Sequence, residues 1–556
     1  GGMDERVGHF PHCDRTWKRG SGSEPSGRAR SFASGVRCVQ EEAALTASAR
    51  RENTTRVSRG LLAPAALVVV LGGVYVATLL PGTGYSPDTA EVQFAAPLLC
   101  VMHPTGYPTY LLIGHAFWRL VPLGTAAYRM NLLSAVFGVL ACLVVSRSLR
   151  RLGAREPVAW AIAVGFGLTP TVWLFSVVAE VYSLNLLFVA LVSDRLLEWR
   201  RGRRDRDLLW ACAWYVASLG HHLTMVTLLP AFAFLVVATR WRVLTERRLV
   251  LAGGGMILVG LLPYAYPIVR SLDPDTPYLA YSVTNLGQLL GYATGSAFRG
   301  EMFAFTASQL LLERLPMFLR FLWHDCGPLI PLALVGLVAL ADRVVLGYLG
   351  LTFLGHLVFT LGYAIGDIDS YFIPTYFVVA VLAGVGLERL LASKPGQRVP
   401  ALLCLLLPLG LGVHHREEVE RLKSPSLAEP MRQLLLASRQ GALIVARYND
   451  YVQLLYLTLM EKLGGPWVFV GCELTAPEIV AYVRDDRPVY LVPLRKWAPP
   501  GLPVYCTRLD IRPQLRAAGL GVKMVRPGVF SIDRQPVRRG APGAPSKAEA
   551  AGKGSR

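Results

Sequence analysis

Between residues 61 and 413 the chain repeats one pattern, in which apolar runs long enough to cross a bilayer are separated by polar turns. A spanning helix needs about 20 predominantly apolar residues. Runs near 61–80, 127–145, 181–197, 226–238, 249–268, 327–341, 343–364, 371–391 and 399–413, with two shorter ones between them, predict an all-α polytopic membrane protein of about 11 transmembrane helices. The turns on one side are basic: RSLRRLGAR, EWRRGRRDR, TRWRVLTERR and ERLLASKPGQR. The opposite turns near 169–180, 220–222 and 366–370 hold neither Lys nor Arg. This asymmetry puts the amino terminus and the basic turns in the cytoplasm. The odd helix count then leaves the C-terminal segment outside.

Outside the apolar runs the pattern changes. Residues 1–60 are rich in Gly, Ser, Arg and Glu without apolar periodicity and read as a disordered cytoplasmic tail. The first apolar run reads as a retained helix rather than a signal peptide. Within the membrane region of 61–415, two long outer loops are expected, at 81–126 and 270–326. The second contains an amphipathic LLERLPMFLRFLWHD, expected to lie along the interface. Residues 416–536 switch to short β-like runs (ALIVA, WVFVG, PVYLVPL) between helical segments, which predicts a small extracytoplasmic α/β domain with a largely parallel sheet. Residues 537–556 read as a disordered tail.

Composition narrows the function. The formal net charge is +19, but the basic residues sit at the ends of apolar runs, so membrane topology accounts for them and no nucleic-acid partner is implied. The nine cysteines show no CxxC or metal-finger spacing, and no metal site is predicted. Cys472 and Cys506 both fall in the outer segment, where they either pair or remain two thiols.

The stretch 85–110, YSPDTAEVQFAAPLLCVMHPTGYPTY, has more special residues than a connecting loop needs. Asp88 and Glu91 share one face if the loop turns helical. Carboxylates beside a bilayer point to function, and the plain alternative is helix capping, with Asp88 in an N-cap-like PDTAE. Two prolines and a glycine hold His103 and Tyr107 in a tight turn. Glu180, Tyr182, His221 and His222 close helix ends on the same outer side. Arg129 and Arg270, at outer boundaries, either snorkel or clamp phosphate oxygens. Polar residues converging on one face suggest a cavity open to the outside.

Taken in order, PDTAE, HPTGYPTY, AYRMNLLSA, AEVYSLN, GHHLT and GLLPYAYPI resemble a large bacterial membrane family whose animal relative is a protein O-mannosyltransferase of the endoplasmic reticulum. The resemblance continues more weakly through TNLGQLLGYATGSAFRG, DIDSYFIP and RYNDYVQLLYL. Two departures stand out. The family's DSGE is DTAE here, which keeps both acids, and its G-N-H is GHH, so His222 matches the family histidine and His221 replaces an asparagine.

The resemblance implies a GT-C-like glycosyltransferase in a bacterial plasma membrane, taking a sugar, mannose by analogy, from a polyprenyl-phosphate carrier. The acceptor would be a protein or glycan hydroxyl on the extracytoplasmic face. Asp88, with Glu91 second, is the expected catalytic pair, and Asp88 the general base of an inverting transfer. His103, Tyr107, Arg129, His222 and Arg270 are the expected donor-phosphate contacts, and Glu180, Tyr182 and His221 further site candidates. The only cofactor implied is the lipid-linked donor. The competing readings are a lipid-linked-sugar flippase or transporter and a non-catalytic assembly scaffold. A transporter would place polar groups near the bilayer midplane in paired broken helices. The charged candidates here lie at outer loop ends.

Overall fold

The computed structural model describes residues 62–84, 86–392, 399–423, 428–437, 443–446, 448–463, 468–470, 489–491, 516–526 and 529–534. The two tails and Cys472 and Cys506 lie outside the described residues.

The apolar runs are helical. Among the described residues, five helices are long and apolar enough to cross a membrane: Ala126–Arg151, Leu223–Leu244, Arg247–Leu272, Arg343–Gly362 and Ile368–Ala392. Two bent pairs, Glu156–Gly167 with Pro170–Val177 and Ala307–Cys326 with Leu329–Ala339, raise the number to as many as seven. The other expected spans fall on helices that are shorter or more heavily charged. Asp205–Leu219 has only 15 residues, too few to span. Tyr182–Gly202 carries Asp194, Arg195, Glu198, Arg200 and Arg201 in its second half. Asp194 is fully buried and takes the guanidiniums of Arg147, Arg151 and Arg195, Glu198 pairs with Arg151 and Arg200 with Asp342, and Arg201 donates to the Arg151 carbonyl. The amphipathic stretch at 307–326 turns by 97° into Leu329–Ala339, so the two halves do not form one straight span.

Small residues set the closest helix contact. A Cβ on Gly336 would come within 1.9 Å of the Leu382 carbonyl, and one on Gly386 within 1.9 Å of the Leu332 carbonyl. Close backbone approach of this kind is how helices associate where water supplies no hydrophobic drive between them.

Two short helices, Pro87–Leu98 and Pro108–Leu120, occupy the segment 81–126 between the first two apolar runs. Val399–Leu422 is continuous, so the boundary expected at 416 falls inside a helix. Beyond it, five short strands form one sheet in the order β2-β1-β3-β5-β4: β1 Leu443–Val445, β2 Val468–Val470, β3 Val489–Leu491, β4 Leu520–Arg526 and β5 Val529–Arg534. β1 pairs in parallel with β2 and β3, whereas β3–β5 and β4–β5 are antiparallel. The sheet is therefore mixed rather than largely parallel. β4 and β5 are separated by two residues, a length that allows only a hairpin.

The helix Tyr448–Leu459 follows β1 and packs on Pro87–Leu98. Thr83 Oγ1 donates to Gln453 Oε1 at 3.0 Å, and the Ala127 amide donates to Tyr456 Oη at 3.2 Å. The helix Tyr448–Leu459 is thereby fastened to the segment 81–127.

Candidate active site

Ser86 and Pro87 start the helix that carries the two acids. Ser86 is the N-cap, its Oγ accepting from the Thr89 amide at 2.9 Å, and Pro87 occupies the first turn, where its missing N–H costs nothing. The cap is Ser86, not Asp88, which leaves the Asp88 carboxylate free for other work. With Glu91 one turn on, both acids lie on one face. Asn131, from AYRMNLLSA, anchors this helix by filling all its hydrogen-bonding positions. Its Oδ1 accepts from Gln93 Nε2 (2.9 Å) and the Ala179 amide (2.8 Å), and its Nδ2 donates to the carbonyls of Leu80 (2.6 Å) and Gly82 (3.1 Å).

The HPTGYPTY turn then places His103 and Tyr107. Gly106 has φ +79° and Tyr107 is left-handed at φ 46°. A Cβ on Gly106 would lie 1.9 Å from Tyr292 Oη, which donates to the Met102 carbonyl at 2.8 Å. Gly106→Ala is therefore expected to destabilise the protein by about 2–4 kcal/mol, the sum of left-handed strain and a lost buried hydrogen bond. An unchanged thermal unfolding midpoint would refute this account of the turn.

These two elements and the Tyr448 helix meet at one cluster. His103 Nδ1 lies 2.5 Å from Glu91 Oε2, and the His103 amide donates to Glu91 Oε1 at 3.2 Å. Tyr448 Oη donates to Glu91 Oε2 at 2.6 Å and stands 3.1 Å from His103 Nδ1. Asp88 is more loosely held, 3.9 Å from His103 Nε2 and 3.5 Å from Tyr448 Oη. The Glu91 side chain is fully buried while that of Asp88 is 38% exposed, and Asp88 lines a partly open cavity.

The electrostatics separate the two acids. Burial raises the Glu91 pKa, but the His103 charge and hydrogen bonds from His103 and Tyr448 outweigh it and hold Glu91 below the usual range. Burial likewise opposes charge on His103, yet Glu91 and Asp88 together lift it to about 10. Asp88 goes up to about 6: burial is the main cause, His103 opposes it, and Asp367 and Glu91 add to it. The result is a fixed Glu91–His103 ion pair beside a carboxylate that titrates near neutrality, the separation of roles expected where acid–base chemistry is done.

The cavity, about 120 Å³, is lined by Asp88, His103, Tyr107, Tyr182, His222, Tyr363, Asp367 and Tyr371, with apolar contributions from Phe298, Met302, Phe359 and Ile365. His222 is buried and pushed down to about 3 by desolvation, so it is neutral, and its Nε2 makes no hydrogen bond among the described residues. Glu180 sits behind the lining, accepting from Ser86 Oγ (2.6 Å) and Thr89 Oγ1 (2.7 Å), and burial with the nearby Asp88 raises it to about 8. His221 is also behind it, with Nε2 2.9 Å from the Val181 carbonyl and its ring stacked on Tyr110.

Neither arginine expected to clamp phosphate lines the cavity. Arg129 spends its guanidinium on the carbonyls of Trp118, Leu123 and Gly124. Arg270 binds the Leu99 carbonyl and Asp273. Both brace interhelical connections, because carbonyls left bare at helix ends are the nearest acceptors.

Four polar residues at the site, Tyr363, Asp367, Tyr371 and Tyr448, were not among those predicted. Tyr448 comes from the C-terminal segment, 357 positions from Glu91. Asp367, hydrogen-bonded by Tyr182 Oη, and Tyr371 come from the turn before the helix Ile373–Ala392. Both stretches, RYNDYVQLLYL and DIDSYFIP, had only a weak family resemblance to mark them. The cluster also has a property absent from the sequence spacing: ligand atoms of Asp88, Glu91 and His103 all lie within 4.8 Å of one another, close enough to chelate a divalent cation.

Residues 88–245 match the family model described as the protein O-mannosyl-transferase TMEM260 N-terminal domain. The chain is 27% identical over 367 residues to protein O-mannosyl-transferase TMEM260 of Mus musculus, covering 60% of this chain and 50% of that one. It is 23% identical over 241 residues to the Dictyostelium discoideum protein of the same name, covering 39% and 28%. The chain thus spans half or less of the length of these relatives. Among solved structures, ArnT from Cupriavidus metallidurans bound to undecaprenyl phosphate is similar with a TM-score of 0.54 at 13% identity, over 84% of this chain and 97% of that one. Its apo form gives 0.55 at 14% identity, over 86% and 98%. At that identity the likeness carries the fold.

Proposed function

We propose that this GT-C-like membrane protein, a relative of the animal protein O-mannosyltransferase, moves a sugar from a polyprenyl-phosphate carrier to an acceptor hydroxyl. The single observation that carries this is the placement of Asp88, a partly exposed carboxylate lining a cavity beside the buried Glu91–His103 pair, where burial pushes its pKa up to about 6. Mannose and a protein acceptor are supported by the names of the relatives, and the lipid carrier by the ligand of the ArnT structure. The basic turns support a cavity on the outer face of a bacterial plasma membrane, and the Tyr448 helix supports a C-terminal domain that helps to present the acceptor.

In this mechanism Asp88 takes the proton of the acceptor hydroxyl. The acceptor oxygen bonds to the anomeric carbon as the bond from that carbon to the phosphate oxygen breaks, with inversion. The electron pair leaves with the lipid phosphate, so the departing group needs no proton. His103, charged, and Tyr107 and His222, as hydrogen-bonding groups, face the leaving phosphate. Arg129 and Arg270 have no part in it. Glu91 and Tyr448 hold His103 in place.

The pH profile of kcat/KM for transfer is expected to rise through about 6 as Asp88 loses its proton and to fall toward about 10 as His103 loses its charge. A flat acid limb would remove Asp88 as the base. The test of the whole reading is donor consumption by the purified protein in nanodiscs, with a panel of polyprenyl-phosphate sugars and a periplasmic protein extract as acceptor. Transfer of label to protein supports the enzyme. No donor consumed, with labelled lipid-sugar crossing the bilayer when the protein is placed in sealed proteoliposomes, would instead establish a flippase.

A further inference from the structure

A second group of metal-ligating side chains lies where the outer end of Ala307–Cys326 meets the helix Val399–Leu422. His324 Nε2 stands 3.0 Å from Glu418 Oε1, and His415 Nδ1 stands 3.5 Å from Glu418 Oε2. None of the three lines the cavity described above. His415 and Glu418 are three residues apart on one helix, so they share a face, and His324 approaches from the other helix. One ligand atom from each of the three lies within 4.8 Å of the others.

Two observations favour a cation over a simple ion-pair network. His415 is only 3% exposed, and its Nδ1 makes no hydrogen bond among the described residues. Buried polar atoms are almost always satisfied, and an orphan calls for an explanation. The spacing is also apt, because a tetrahedral zinc ion with bonds of about 2.0–2.1 Å holds its ligands roughly 3.4 Å apart. Two imidazoles and one carboxylate make a borderline-soft donor set that suits Zn²⁺ better than Ca²⁺ or Mg²⁺.

We propose that His324, His415 and Glu418 bind one zinc-class divalent cation. The ion fastens the bent pair at 307–339 to the helix that leads into the C-terminal segment. It acts as a structural clasp and takes no part in sugar transfer, so this inference stands apart from the proposed enzymatic function.

The test is Zn²⁺ binding to the chelator-stripped full-length protein in nanodiscs, with bound metal counted by elemental analysis. His103→Ala removes the other cluster able to hold a cation. In that background one equivalent of Zn²⁺ is expected to bind and to raise the unfolding midpoint. Adding His415→Ala or Glu418→Gln is expected to weaken that binding at least about tenfold and to abolish the thermal shift. Should His103→Ala not fold, His324→Ala in the otherwise unaltered protein, at a half-exposed side chain, is expected to lower bound zinc by one equivalent. Zinc binding unchanged by His324→Ala and Glu418→Gln, or no zinc bound at all, would overturn the proposal.

Discussion

Asp88→Asn is expected to lower kcat for sugar transfer by about 10²–10⁴-fold, the range contributed by a positioned general base. Folding should survive it. The Asp88 side chain is 38% exposed into the cavity, Ser86 rather than Asp88 caps the helix, and its polar neighbours stand at 3.5 and 3.9 Å. Asparagine has the same shape, so the loss should fall on kcat while KM for the lipid-linked donor stays close to that of the unaltered protein. Steady-state transfer over a range of donor concentrations separates the two. A variant with near-full kcat would end the role of Asp88 as base and turn attention to Asp367, the other carboxylate lining the cavity.

Glu91→Ala is expected to be the most destabilising change at the site, by about 3–5 kcal/mol, because it strands the His103 charge without its buried partner. Glu91 is fully buried and receives bonds from the His103 amide, the His103 ring and Tyr448. The effect should depend on pH in a direction that can be worked out. Glu91 is depressed below its ordinary 4.5, so its contribution exists above that value and disappears as pH falls. His103 is raised from 6.5 to about 10, so its contribution is complete below 6.5 and is lost as pH rises toward about 10. The stability gap between the two proteins should be widest between about pH 4.5 and 6.5 and narrow on either side. Chemical unfolding in detergent at several pH values measures it. A gap that widened above pH 8 would contradict the ion-pair account.

Apolar runs of bilayer length and one-sided basic turns are local properties, and they sufficed to predict a polytopic helical membrane protein. The exact number of spans was not legible in the same way, because it depends on how neighbours shield charge. Tyr182–Gly202 keeps its charges only because Arg147 and Arg151 from another helix meet Asp194. The sheet's mixed order depends on pairing between distant strands, which alternation within each strand does not encode.

At the site, the sequence by itself marked candidates within residues 85–110: the i, i+3 acids and the Pro/Gly turn that presents His103 and Tyr107 are written in consecutive residues. Tertiary structure alone decided their roles. A single half-buried tyrosine from the far end of the chain, Tyr448, and one histidine 12 positions from Glu91 make that acid a fixed partner, while Asp88, on the same helix face, is left free to titrate. Likewise Arg129 and Arg270 have the charge for phosphate but lie beside bare backbone carbonyls, which take them first. The physical reason is common to these cases. Residue type and spacing set what a group can do, whereas burial and the charges brought to it by folding set its protonation state and its partner.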